Sequence, residues 1–241
     1  MARLQIRFRI AYLKRLANLH RLNHFTQTSA VIPKKSHIQG LIEQGEHQRL
    51  DFKFEISDSR KIARTISAFS NTDGGVLLIG VKDNGNISGV RSDEEIYMAE
   101  ASAKMYCQPE VAFKATQWNE GGKTVLELKI PKMEGAICYA ENQEGKWLAY
   151  VRVADNNYLA NAVLLRVWKR KLTALPTHIH YTEKEKSLLE YLSVNEQISS
   201  SKFCKLAGIA RNKAETILVN LIMLEVIELF YDENNVLYRL K

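Results

Sequence analysis

Between Glu46 and Val90 the chain reads E-H-Q-R-L-D-F-K-F, then D-S-R-K-I-A-R-T-I-S-A-F-S-N-T-D-G-G, then V-L-L-I-G-V-K-D-N-G-N-I-S-G-V. A strand, an amphipathic helix, a double glycine and a second apolar strand follow one another there, and the order gathers carboxylates at a sheet edge. Asp51 and Lys53 are two apart, so on a strand both project from one face while Phe52 and Phe54 project from the other. From Asp58 the period changes: Ile62, Ile66 and Phe69 recur at three- and four-residue spacing beside Ala63 and Ala68, with Asp58 or Ser59 suited to the N-cap. Arg60, Lys61 and Arg64 are left on the wet face. Asn71, Gly74 and Gly75 end the helix because they tolerate the left-handed backbone that a cap or tight turn needs. Val76 to Val81 is short, apolar and rich in β-branched residues, which predicts a strand buried on both faces. Asp83 stands just past its end, and Asn84-Gly85 is the strongest short turn signal in the chain.

These residues carry a resemblance. The succession of Glu46, Asp51-Phe52-Lys53, A-F-S-N-T-D-G-G (68–75), L-I-G-V-K-D-N-G (78–85) and Gly89-Val90 resembles the Schlafen/AlbA-like domain, whose bacterial members are often described as divergent AAA or DNA-binding domains. The resemblance implies an α+β fold with a mixed sheet and helices that binds nucleic acid. Some animal Schlafen proteins cut RNA with three carboxylates and a divalent metal. By position those carboxylates fall on Glu46, Asp51 and Asp83, and the family lysine on Lys53. The usual E-F-K stands here as D-F-K, which shortens the second carboxylate's reach by about one methylene at a site sensitive to ligand placement.

Such a site would support metal-assisted phosphodiester cleavage. Three carboxylates suit Mg²⁺ or Mn²⁺, and Lys53 would stabilise developing negative charge. Spacing alone supports a blander reading, in which Glu46 is a solvated residue near a helix end, Asp51 and Lys53 are an exposed strand pair, and Asp83 opens a turn.

After Val90 the pattern predicts a helix over Asp93–Cys107 stopped before Pro109, and a hairpin over Val111–Pro131 turning at 119–122. A second strand pair follows at Ala136–Ala140 and Trp147–Val153. Y-V-R-V (150–153) resembles the family's arginine-bearing strand and makes Arg152 a candidate phosphate contact, or else a partner of a surface acid. A helix over Leu159–Leu172 closes this domain at about residue 175. Its basic tail R-V-W-K-R-K (166–171) is read as a solvated helix end favoured by the helix dipole. Pro176 and its polar neighbours mark a linker over 176–180.

From Tyr181 to Lys241 the pattern is three helices and two short strands. Thr182 and Glu185 form a capping box, Ser199–Leu206 is the second helix, Gly208 the turn, Arg211–Val226 the third helix, and 228–240 the strand pair. The order is similar to a winged helix-turn-helix domain, in which Arg211, Asn212 and Lys213 would lead the recognition helix into a major groove.

Charge separates these segments. Residues 1–36 hold 8 Lys/Arg and no acid, 37–179 hold 18 of each sign, and 180–241 hold 8 basic and 9 acidic residues. The formal charge of +7 therefore belongs to the N-terminal arm. Its composition fits a transit peptide, a nucleic-acid-binding arm or an early start codon, and the expectation is an arm that is disordered or not native. Cys107, Cys138 and Cys204 lack metal-ligand spacing and fit a reducing cytoplasm. No phosphate loop supports ATP binding, and no apolar run is long enough for a membrane helix.

The expectation is a cytoplasmic DNA- or RNA-binding, regulatory protein, with Lys53, Arg60, Arg64, Arg152, Arg211, Asn212 and Lys213 as contact residues and homodimerisation open to it. It needs no certain cofactor. The alternatives are a Mg²⁺- or Mn²⁺-dependent endoribonuclease using Glu46, Asp51, Lys53 and Asp83, and an adaptor that recruits a protein through its winged helix.

Overall fold

A computed structural model describes residues 35–91, 93–173, 181–233 and 235–241. Residues 1–34 of the expected arm and the expected linker at 176–180 lie outside them. Helix α1 (His37–Ile42) precedes strand β1 (Leu50–Lys53), helix α2 (Ser59–Asn71) and strand β2 (Gly75–Ile79). Strands β1 and β2 are parallel, with Asp51 opposite Leu77 and Lys53 opposite Ile79, so α2 is their crossover. The Asp58 side chain caps α2 by accepting from the Arg60 N–H at 2.9 Å.

Helix α3 (Glu94–Lys104), strand β3 (Cys107–Gln108), the hairpin β4 (Lys114–Glu120) and β5 (Lys123–Ile130), and strands β6 (Tyr139–Glu141), β7 (Trp147–Val153) and β8 (Asn156–Leu159) follow. They complete two four-stranded sheets, ordered β1-β2-β5-β4 and β3-β6-β7-β8. The architecture is α+β.

Eight of the thirteen residues of α2 are buried, too many for a helix lying on one surface. It is held between layers. Ile62, Ile66 and Phe69 share one core with Leu77 and Ile79 of β2, Leu126 and Leu128 of β5, and Cys138 and Ala140 beside and within β6. At the far side of the first sheet, the Glu127 carboxylate accepts from Trp118 Nε1 at 2.8 Å and lies 3.0 Å from His37 Nε2, tying α1 to β4 and β5.

Helix α4 (Ala162–Thr173) starts three residues later than its periodicity predicts. The preceding Asn156–Leu159 pairs with β7 instead. Its polar N-N-Y-L carries no alternation that would mark a strand. The hairpin exists because Ala154, at φ 53°, and Asp155 turn the chain back onto β7.

Helix α4 serves two cores. Leu164, Leu165 and Trp168 pack against Ile137, Ala149 and Ala160, while Val163 and Val167 are buried among the C-terminal elements. Those elements are helix α5 (Glu183–Val194), strand β9 (Ile198–Ser199), helices α6 (Ser200–Ala207) and α7 (Arg211–Met223), and the antiparallel pair β10 (Ile227–Asp232) and β11 (Asn235–Leu240). Thr182 and Glu185 form the capping box of α5. Gly208, at φ 61°, ends α6 in the left-handed conformation. Leu188, Phe203, Leu218, Ile227 and Tyr238 fill the core. Strand β9, too short to leave a period in the sequence, adds a third strand beside β11.

Candidate nucleic-acid interface

The chain enters β1 through a tight turn in which His47 and Leu50 exchange backbone hydrogen bonds of 2.9 and 3.1 Å. One buried side chain fastens this turn to the second sheet. Arg152 of β7 is 1% exposed, and its Nη2 lies 3.0 Å from Leu50 O, 3.2 Å from His47 O and 3.3 Å from Asp51 Oδ1. Its Nη1 donates to Asn157 Oδ1 at 3.1 Å, and Asn157 Nδ2 donates to Thr65 Oγ1 at 3.0 Å. The guanidinium carbon lies 5.1 Å from the Phe69 ring centroid. Gln48, at the tip of the turn, donates to Arg152 O at 3.0 Å and accepts from Ala154 N at 2.9 Å.

Asp51 is held by two cations. Besides Arg152 at Oδ1, Lys53 Nζ stands 2.8 Å from Oδ2. Lys53 makes its directed hydrogen bond to Phe52 O at 2.7 Å, which leaves Asp51 Oδ2 in ion-pair range of Lys53 but without an aligned donor. Glu46 is fixed by the same strand. Its Oε1 accepts from Phe52 N at 2.8 Å. Burial first, then the hydrogen bond with Asp51 and its charge, push the Glu46 carboxyl up to about 7 against the opposing pull of the Phe52 N–H and Lys53. A proton on Glu46 removes the repulsion that two neighbouring carboxylates would exert on each other.

The A-F-S-N-T-D-G-G segment joins the same framework. Asn71 Nδ2 donates to Cys138 O (2.8 Å) and Tyr150 O (3.0 Å), and its Oδ1 accepts from Cys138 N at 2.8 Å. Thr72 Oγ1 accepts from Arg152 N at 3.0 Å, and Asp73 accepts from Gln48 at 3.0 Å. A Cβ on Gly75 would lie 2.6 Å from the Phe69 ring, which forces glycine there. The motif that carries the resemblance thus stitches α2 to the second sheet.

Above this framework lie two open clefts of about 370 and 360 Å³. The first is lined by Asp51, Lys53, Thr65, Arg152 and Asn157 among others, the second by Arg60, Glu141 and Tyr150 among others. Asp58, Lys61 and Arg64 border both, so the outward face of the N-terminal half of α2, with Ile62 and Ala63 buried behind it, is a basic ridge between them. Lys61 and Arg64 are exposed and join no ion pair among the described residues. The Arg64 guanidinium lies 5.7 Å from the Tyr150 ring centroid and that of Arg60 4.6 Å from Tyr106.

The residues picked from sequence therefore divide. Glu46, Asp51 and Lys53 meet; Arg60 and Arg64 flank the clefts. Arg152, expected at a phosphate, is enclosed, because both faces of β7 are covered at this point, with Nη2 directed at the turn and Asp51 and Nη1 at Asn157. Its role is to position Asp51. Asp83 lies in the exposed turn closed by Gly85 N to Lys82 O at 2.8 Å and borders neither cleft.

Among the described residues no three carboxylate, His or Cys side chains form a group able to hold a metal ion. Asp51 already has a cation at each oxygen and Asp83 stands outside both clefts, so these residues do not fit a divalent metal in this arrangement. Arg211, Asn212 and Lys213 are exposed at the start of α7, with Arg211 Nε 2.9 Å from Glu215 Oε1. Sequence reasoning missed Gln48, Thr65 and Asn157, whose only signal was polarity beside a turn or on a buried helix.

Fold and site define an α+β domain with a basic helical ridge over an internal Arg–Asp clamp. Residues 46–161 match the family described as Schlafen, AlbA_2. No curated protein matches the chain. Among solved structures, the DIP2311 protein from Corynebacterium diphtheriae is 19% identical over 52% of this chain and 28% of its own, with a TM-score of 0.40. The N-terminal domain of a RecG-related protein from Nitrosomonas europaea is 20% identical over 60% of this chain and 98% of its own, with a TM-score of 0.39. This chain thus spans little more than a quarter of the DIP2311 protein.

Proposed function

We propose that this chain binds nucleic acid, and that its AlbA-like segment grips the sugar-phosphate backbone across the α2 ridge. The observation that carries the reading is the shared wall of Lys61 and Arg64 between two clefts. A strand crossing it meets cations at the crest, with Lys53 on one side and Arg60 on the other. The family of residues 46–161 supports the same reading. Cations at a ridge recognise phosphate rather than base identity, so DNA and RNA are both substrates of the chemistry.

The C-terminal elements are read as a winged helix that adds a second contact through Arg211, Asn212 and Lys213, in a regulatory protein of the cytoplasm. Three free cysteines accord with a reducing compartment.

The test is fluorescence anisotropy with labelled single-stranded RNA, structured RNA and duplex DNA over a salt series, in Mn²⁺ or EDTA. Affinity should fall as salt rises. Lys61→Ala with Arg64→Ala should weaken every ligand and lower the salt slope by about 2 on duplex DNA. Salt-independent affinity, or affinity indifferent to both substitutions, refutes the ridge. Mn²⁺-dependent cleavage lost in Asp83→Ala would replace the binding reading with the nuclease one.

A further inference from the structure

One side of α7 is already occupied within the chain. Asn212, Thr216 and Asn220 recur every four residues and form its polar stripe, and Thr216 Oγ1 donates back to Asn212 O at 2.8 Å. The opposite side, with Ala214, Ile217, Leu218 and Leu221, is core. A helix-turn-helix unit lays that polar stripe in the major groove. Here Arg166 Nη2 of α4 donates to Thr216 Oγ1 at 2.9 Å, and Arg170 Nη1 donates to Asn220 Oδ1. The same four-residue step on both helices keeps the contact in register for a full turn. Val163 and Val167 beneath it are buried in the α7 core, and Arg166 Nη1 lies 3.8 Å from Glu215 Oε2.

We infer that α4 is an autoinhibitory strap on α7. In the closed form the middle of the stripe is unavailable to base edges, and α7 offers nucleic acid its first turn beside the backs of the strap arginines. That surface meets phosphate and carries no sequence information. Thr216 and Asn220 are neutral, so the two hydrogen bonds leave the guanidinium charges in place, and among the described residues only Glu215 opposes that of Arg166. Backbone attraction survives closure, while base reading waits on the release of α4. The inference rests on the winged-helix reading proposed above.

The experiment uses the full chain in a Lys61→Ala/Arg64→Ala background, so that the ridge does not contribute, with labelled duplex DNA of mixed sequence. Thr216→Ala/Asn220→Ala removes the two acceptors and leaves every charge in place. Arg166→Lys/Arg170→Lys loosens the seam from the other side, also without a change of charge. Both should raise hydrogen exchange in residues 162–173, and the lysine pair, which leaves the polar stripe intact, should also tighten duplex binding about tenfold by increasing the population of the open form. Faster exchange with unchanged or weaker binding in the lysine pair overturns the strap, as does unchanged exchange in both pairs. Failure of the ridge reading shows separately, as a background variant that binds like the wild type.

Discussion

Replacing Arg152 with Met tests whether the clamp, rather than a direct contact, is what this arginine provides. Met keeps the aliphatic bulk against Phe69 and removes the charge. The loss comprises the Nη1 bond to Asn157 at 3.1 Å and the Nη2 bonds to Leu50 O, His47 O and Asp51 Oδ1 at 3.0–3.3 Å. Nη2 has two protons for three acceptors, so one bond is shared and the set counts as about three. At about 1.5–3 kcal/mol for each charged hydrogen bond the sum would overshoot. Removing one partner of a buried ion pair costs about 3–5 kcal/mol, because the other charge is left behind. We expect about 3–5 kcal/mol in urea unfolding followed by circular dichroism and Tyr/Trp fluorescence. Asp51→Asn added to Arg152→Met should recover about 1 kcal/mol by removing a buried carboxylate left with Lys53 as its remaining cation. A cost below about 1 kcal/mol for Arg152→Met, with an unchanged m-value, would refute the clamp.

Two further perturbations follow from the same framework. Glu46, lifted from its ordinary 4.5 to about 7, binds its proton more tightly in the folded state, so its stabilising effect is full below pH 4.5 and is lost as pH rises towards 7. At full strength that is roughly 3 kcal/mol, and solvent screening at this partly exposed group reduces it to about 1–2 kcal/mol. Glu46→Gln, which does not titrate, should remove that part of the pH dependence of urea midpoints; an identical pH slope in both proteins would show that Glu46 does not hold its proton more tightly in the folded state. Asn71→Ala, which strips three hydrogen bonds from Cys138 and Tyr150, should cost about 2–4 kcal/mol and speed amide exchange in β6 and β7, and protection equal to wild type there would contradict the stitch.

Local signals carried far in this chain, and they stopped where partners are distant in sequence. Ile62, Ile66 and Phe69 specify a helix and its buried face because helical period is a property of neighbours. Asn119–Gly122 specifies a hairpin and Thr182 with Glu185 a helix start for the same reason. Asp51 and Lys53 were placed on one face of a strand by alternation alone, and they meet there. Tertiary structure decided what those residues do. Arg152 lies about a hundred positions from Asp51, and nothing local shows that the fold closes over it and turns an apparent phosphate contact into an internal clamp. Asp83 keeps its place after β2, yet its turn carries it to exposed surface outside both clefts. Helix α4 reads as the end of one domain because only its own period is visible; which two cores share its faces depends on α7, fifty residues on. Short strands such as β8 and β9 exist only through their pairing partners. Sequence determines elements whose energetics are local, while burial, charge pairing and site membership are settled by which segments the closed fold brings into contact.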